Sequence, residues 1–340
     1  MDLLPSTDQE QILDTLRTFL ADQAPVGRLR DHGAIGNPDA RLWPELGALG
    51  FIGLGLPEDQ GGIGLTTAEE ALVYREFGRH LISPAVLGLT LGARIVANAG
   101  DATLREDFLS GAARVGIANP RGAVTLGARC SGDFHLFDAD TAAWVLVIGQ
   151  EGAGLFRRED FAAIVSVPAT DAVITLERAR LDDVAPRLWM SDGDDPLHAR
   201  ALLLLAAYAV GLAEGTRDMA VDYAKVREQF GKPIGSFQAI KHICATMAVR
   251  AEAAHCQACF ASLVLADHGA DSDFHATAAK IVATDSALKN SAETIQVLGA
   301  FGFTSEANAH HYLKRAHLID LLWGDLRSQR ARLLQMPTPA

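Results

Sequence analysis

An unbroken apolar run from Ala201 to Ala213, set inside a helical pattern over 197–226, is the feature that most limits what this chain can become. A helix without a polar face has to be covered on more than one side. The run is too short to cross a bilayer, which takes about 20 such residues. The expectation is therefore a core helix enclosed by other helices, with no transmembrane span. Three more segments carry the same period, 236–268, 273–298 and 306–335. The turns Gly231-Lys232-Pro233-Ile234-Gly235 and Gly299-Ala300-Phe301-Gly302 that break the pattern are short, so residues 193–340 are predicted to form a four-helix bundle.

The remainder divides in two. Residues 1–112 read as a helical domain, with capping boxes at Thr7-Asp8-Gln9-Glu10 and Thr67-Ala68-Glu69-Glu70 and an ordered glycine-rich loop, Pro57 to Gly64, between helices. Residues 113–192 change to short β-like runs, Val115 to Asn119, Ala142 to Ile148, Ala162 to Val167 and Ala172 to Leu176, separated by Gly, Asp and Pro. The fold class is mainly α with a small β domain in the middle. A formal charge of −12 and a pI near 5.3 exclude a general nucleic-acid binder, which presents a basic surface. The N-terminal stretch MDLLPSTDQE is acidic and polar where a secretory signal begins basic and continues apolar. A cytosolic protein with Cys130, Cys244, Cys256 and Cys259 as reduced thiols is expected.

Motifs narrow the reading further. The run Tyr223-Ala224-Lys225-Val226-Arg227-Glu228-Gln229-Phe230-Gly231-Lys232-Pro233-Ile234 is followed by Gln238 and Met247. Gln296-Val297-Leu298-Gly299-Ala300-Phe301-Gly302-Phe303-Thr304 forms a second motif, and Leu56 to Leu65, LPEDQGGIGL, a third. In this order and spacing they resemble the acyl-CoA dehydrogenase family, over nearly the whole chain. The resemblance implies the layout of helical domain, β domain and four-helix bundle. It also implies FAD as cofactor, with Arg227, Phe230, Gln296, Gly299 and Ala300 touching a flavin held mainly by a neighbouring subunit. Arginine's planar fork suits a diphosphate, and Phe230 would supply an apolar wall. The plain alternative is that Arg227 caps its helix and Gln296 is a satisfied core amide.

The family's reaction needs a carboxylate over the α-carbon of a thioester. The usual glutamate falls 27 residues after the glutamine matched by Gln296, and that position holds Trp323. Some members place it instead 26 residues before the signature arginine, a register that Gly211-Leu212-Ala213 supports, and that position holds Ala201, between Arg200 and Leu202. A catalytic residue is thus expected at neither place, since neither side chain accepts a proton at neutral pH. The family's flavin-holding stretch at the start of the β domain is matched only by Ala118-Asn119-Pro120-Arg121-Gly122-Ala123-Val124. No hairpin is expected between Gly132 and Trp144, which makes the middle domain look shortened.

Retained trans contacts with lost cis contacts suggest the partner subunit of an α2β2 acyl-CoA dehydrogenase. Its homologous subunit would carry the catalytic glutamate, and its substrate would be an acyl-CoA, such as the steroid-derived CoA esters of bacterial steroid and cholesterol catabolism. Two alternatives stand beside it: a self-sufficient dehydrogenase or flavin oxidase with Asp325 as a displaced base, and a flavin-free binding or scaffold protein. Cys256 and Cys259 flank a C-x-x-C next to His255, but with no second pair a metal site is not expected and buried thiols are. Adjacent His310 and His311 should point to different sides, toward the surface or an interface. Lys314, Arg315, Arg327, Arg330 and Arg332 outnumber Asp320 and Asp325 near the C-terminus, a basic excess that would attract CoA or FAD phosphates or simply face solvent.

Overall fold

The computed structural model describes residues 3–30, 39–193 and 195–339. In chain order the helices are α1 (Thr7–Gln23), α2 (Trp43–Ala48), α3 (Thr67–Arg79), α4 (Ala85–Ala99) and α5 (Ala102–Leu109), then, after the strands, α6 (Leu197–Val226), α7 (Gln238–Ala266), α8 (Ser272–Leu298), α9 (Ala309–Leu321) and α10 (Leu326–Leu333). Helical, β and helical segments follow one another as the sequence predicts. Both capping boxes sit one residue earlier than predicted. Ser6 caps α1 with Gln9 as its reciprocal partner, and Thr66 pairs with Glu69 ahead of α3. The shift frees Glu70 for a buried role described below. The predicted fourth bundle helix is broken in two, because Trp323 (φ +52°) and Gly324 (φ +107°) leave helical space together.

The described residues group into two units that cut across the chain order. One draws on 32–70 and 82–201 and contains the sheet. Its strands are β1 (Val115–Pro120), β2 (Cys130–Phe137), β3 (Trp144–Gly149), β4 (Gly152–Arg157), β5 (Ala162–Ser166), β6 (Leu176–Val184) and β7 (Leu188–Ser191). Their order is β5-β6-β2-β1-β3-β4-β7, with β1 and β3 parallel and the other neighbours antiparallel. Between Gly132 and Trp144, where no hairpin is expected, the first part of the stretch belongs to the strand β2, which the sequence pattern does not reveal; it bonds to β1 on one side and β6 on the other and makes no hairpin with β3. Residues 172–175 are not strand; β6 begins only at Leu176. Phe134, Leu136, Val145, Val147, Phe156 and Phe161 make the core of this sheet, with Phe134 and Phe156 each meeting Phe161 edge to face.

The second unit draws on 1–31, 71–81 and 202–340. Here α6, fully buried from Leu202 to Ala213, is the central element. By length and composition alone it would pass for a membrane span, yet the whole of its apolar window is buried in the protein. Its backbone meets α3 closely. A β-carbon on Gly211 would overlap the carbonyl oxygen of Arg75, and one on Gly78 that of Tyr208. Beside this crossing Arg75 grips Glu214 through two bonds of 2.8 Å, and Arg79 reaches Glu214 at 3.0 Å and Asp218 at 2.7 Å. Asn290 on α8, fully buried, donates to Ala213 O at 3.1 Å and Met247 O at 3.0 Å, so one amide ties α6, α7 and α8.

Candidate cofactor-contact site

At the C-terminal end of α6 the chain makes a two-residue hairpin, β8 (Glu228–Gln229) with β9 (Lys232–Pro233). Its turn residues, Phe230 (φ +53°) and Gly231 (φ +74°), are both left-handed, as a twist-matched two-residue turn requires. Glycine takes that conformation freely; phenylalanine pays about 1–2 kcal/mol for it. The Phe230 ring is nevertheless 91% exposed, with Phe237 meeting it edge to face at 6.0 Å between centroids. A strained, solvent-facing aromatic is a sign of a binding edge. Val226 and Phe303, both largely exposed, extend the apolar surface.

Behind the hairpin lies an open cavity of about 630 Å³, within the range of ligand sites. Arg227, Phe230, Ile234 and Phe237 form one wall; Leu298, Gly299, Ala300 and Phe301 form the other. Tyr223 stacks flat on Phe301, 6.0 Å between centroids and 7° between planes. The Arg227 backbone is fixed by its N–H donating to Tyr223 O at 2.9 Å and its carbonyl accepting from Ile234 N at 2.7 Å. Its exposed guanidinium makes no hydrogen bond or ion pair with another of the described residues. An anchored backbone carrying an uncommitted fork of donors above an apolar floor suits part of a dinucleotide, whose diphosphate would take the charge. Of the five residues singled out in the sequence, Arg227, Phe230, Gly299 and Ala300 line this cavity together. Gln296 is exposed near the end of α8 and is not among the lining.

The two base positions have other surroundings. Trp323 is buried, in a turn whose carbonyl accepts from Gln329 Nε2 at 2.6 Å. Asp325, the alternative base, has a local structural role. It is the N-cap of α10, accepting from Ser328 N at 2.8 Å, and that N–H holds its carboxyl below the usual range. Ala201 is fully buried beside a ring of four charges. In that ring Arg94 bonds Glu70 at 3.1 Å and Asp195 at 2.6 Å, and Arg200 bonds the same two carboxylates, Asp195 at 2.9 Å. Arg94 also donates to Gly55 O at 2.6 Å. Burial opposes the charge on Asp195, but the two arginines outweigh it and keep its carboxyl below the ordinary range. On β1, Ala118 is fully buried and Asn119 nearly so, facing His135 of β2 in register.

Other expectations fare unevenly. Cys256 is exposed and Cys259 half-buried, so these are not core thiols, although burial pushes Cys259 up to about 11 and leaves it protonated. His311 is buried rather than superficial, with its ring 4.0 Å from that of His310. The C-terminal basic excess is largely consumed internally. Arg315 is buried and donates to Tyr208 Oη at 2.6 Å, Arg330 bonds Asp285 at 3.2 Å, and Arg332 bonds Asp273 and Thr277. The sequence reading missed the ring partners Glu70, Arg94 and Asp195. Arg94 within the apolar stretch 85–97 was the available signal, since a lone charge there has to be paired.

The known proteins agree with this architecture. Residues 6–115 match the acyl-CoA dehydrogenase N-terminal domain and residues 198–335 the acyl-CoA dehydrogenase C-terminal domain. The chain belongs to the acyl-CoA dehydrogenase family. It is 30% identical to acyl-CoA dehydrogenase IpdE2 of Mycobacterium tuberculosis over 93% of this chain and 92% of that protein. It is 35% identical to acyl-CoA dehydrogenase FadE34 of the same organism over 92% of this chain, which spans only 45% of that relative's length. Among solved structures, the ChsE4-ChsE5 complex from Mycobacterium tuberculosis superposes with a TM-score of 0.85 at 21% identity, covering 99% of this chain and 100% of that one. A steroid acyl-CoA dehydrogenase, Tcur3481-Tcur3483, superposes with a TM-score of 0.79 at 25% identity, covering 96% of each.

Proposed function

We propose that this chain is the partner subunit of an α2β2 FAD-dependent acyl-CoA dehydrogenase of the cytosol, one that gives the flavin its trans contacts while a homologous subunit gives the glutamate base. The observation that carries the reading is a division within the chain. Arg227, Phe230, Gly299 and Ala300 gather around one cavity with the arginine uncommitted, whereas the base positions hold Trp323 and Ala201. The lengths of the relatives support it: FadE34 is long enough to hold a second unit of this size beside the matched one. So does the likeness to a complex of two named chains, ChsE4 and ChsE5. The substrate class is an acyl-CoA thioester, and the likeness to a steroid enzyme favours a steroid-derived CoA ester.

In such a complex the bound flavin would accept the β-hydride while the partner removes the α-proton, leaving an α,β double bond. This chain's part is binding. Arg227 would hold the diphosphate by its charge and donors, and Phe230 and Phe301 would exclude water along the apolar wall. Co-expression with a homologous subunit that carries the glutamate, followed by mass measurement and flavin quantitation, tests the proposal. Two FAD per tetramer, with turnover only in the pair, is the expected result. Four flavins per tetramer, or full turnover by this chain alone, rejects it in favour of a self-sufficient enzyme. A chain that stays colourless with every such partner points instead to a flavin-free scaffold.

A further inference from the structure

Lys280 lies in the middle of α8 and is 1% exposed, flanked along its helix by the fully buried Ala276, Ala279 and Ala283. Its Nζ donates to the carbonyl oxygen of Leu322 and, at 2.5 Å, to that of Gly324. The carbonyl between these two, that of Trp323, accepts from Gln329 Nε2 of α10, itself 3% exposed. Three consecutive peptide oxygens are thus each engaged by a buried side chain from another part of the fold. The turn they belong to is bounded by two aspartates, Asp320 accepting from Leu326 N at 2.8 Å and Asp325 from Ser328 N at 2.8 Å.

Satisfying turn carbonyls does not need a lysine; water at the surface does it at lower cost. A buried ammonium is among the most expensive groups a protein can hold. Burial pushes Lys280 down to about 7, only partly offset by Asp320 on α9 and Asp325 at the α10 cap, with Arg327 beside the latter. The return on that cost is geometric. Residue 323 is a tryptophan at φ +52°, a conformation that a bulky side chain adopts only when its surroundings impose it.

We propose that Lys280 is the positioning residue of the Leu322–Gly324 turn: its ammonium, seated between two peptide oxygens, holds residue 323 in the left-handed region and so fixes where the 323 side chain sits. In its last step this rests on the partner-subunit reading, in which Trp323 occupies the place of the base and acts as a fixed wall of the shared site. In this role Lys280 acts through residue 323.

The test isolates the Trp323 signal by subtracting the fluorescence of a Trp323→Phe variant from that of the free full-length chain. The other tryptophans, Trp43, Trp144 and Trp189, cancel. Lys280→Met keeps the apolar stem and removes the donor. Its expected effect is a red-shifted Trp323 emission and several-fold stronger acrylamide quenching, with far-UV circular dichroism unchanged. Wild-type emission and quenching in Lys280→Met would overturn the inference. Should that variant fail to fold, Lys280→Leu, which also lacks the donor, takes its place, and wild-type emission and quenching there would overturn the inference instead. Because these readouts use the free chain, they are independent of the partner. In the co-purified complex Lys280→Met should lower kcat several-fold with KM little changed. A shifted emission with unaltered turnover would sink the partner-site reading of Trp323 and leave Lys280 as the anchor of the turn.

Discussion

Replacing Arg227 with alanine separates cofactor contact from structural service. The side chain is exposed and makes no internal bond with the described residues, so its loss should leave chain stability within about 0.5 kcal/mol of wild type. In the assembled complex the same change removes a charge-assisted pair to a diphosphate, worth about 1.5–3 kcal/mol. At 1.4 kcal/mol per tenfold, FAD should bind roughly 10- to 100-fold more weakly. Arg227→Lys keeps the charge and loses the fork, so it should fall between the two. The assay is flavin per tetramer after gel filtration, followed by titration of FAD into the stripped complex, with thermal unfolding of the free chain as control. An unchanged Kd in an intact complex would refute the reasoning and return Arg227 to the role of a helix-end residue. Loss of the tetramer itself would show that the arginine serves assembly.

Three further outcomes follow from the geometry. Trp323→Glu alone should not produce substrate-dependent bleaching by the single chain, because in the proposed division of labour the partner holds the flavin ring and a base without it has no hydride acceptor; bleaching would contradict that division. Glu214→Ala should destabilise the helical unit by about 3 kcal/mol, since it strips Arg75 of its bidentate partner and leaves Arg79 to Asp218 and Glu76, a figure readable as a lower urea midpoint. Although burial opposes its charge, Glu214 is held below the usual carboxyl range by Arg75 and Arg79. The stabilisation from that carboxylate is therefore complete above the unfolded value and is lost as pH falls through the folded one, a slope the variant should lack. For Lys280 the slope has the same sign but another origin, the relief of a buried charge. Between about 7 and its ordinary 10.5 the unfolded chain holds a proton that the folded chain has released, so stability rises with pH across that window, and Lys280→Met should flatten the rise.

How far each element was readable depended on whether its pattern was made by local side chains or by distant ones. The helix over 197–226 was legible to the residue because its apolar run admits only a buried helix. The strand Cys130–Phe137 escaped because Gly132, Asp133 and His135 dilute it, although the alternation from Asp133 to Leu136 carried the strand period. On β6 the outward Arg178 and Arg180 hid a similar alternation, with Ala179 and Leu181 facing inward. The break at Trp323 is imposed from α8 and α10, so no local propensity announced it. Arg227 and Phe230 were legible through a contiguous motif. Lys280 was not, because its meaning comes from carbonyls about forty residues away, and only its place among alanines on an otherwise buried face marked it.

The ring of Glu70, Arg94, Asp195 and Arg200 has a bearing on how this sequence can change over generations. Each carboxylate is shared by both arginines, so the ring is neutral as a whole and at no corner. Replacing any one member leaves a net charge stranded beside Gly55 and the core, at a cost of several kcal/mol, comparable with much of a domain's stability. A lineage can therefore leave this arrangement only by altering at least two corners of opposite sign close together in time. The four positions, drawn from stretches more than a hundred residues apart, should be inherited as a single character, present together or replaced together by apolar residues.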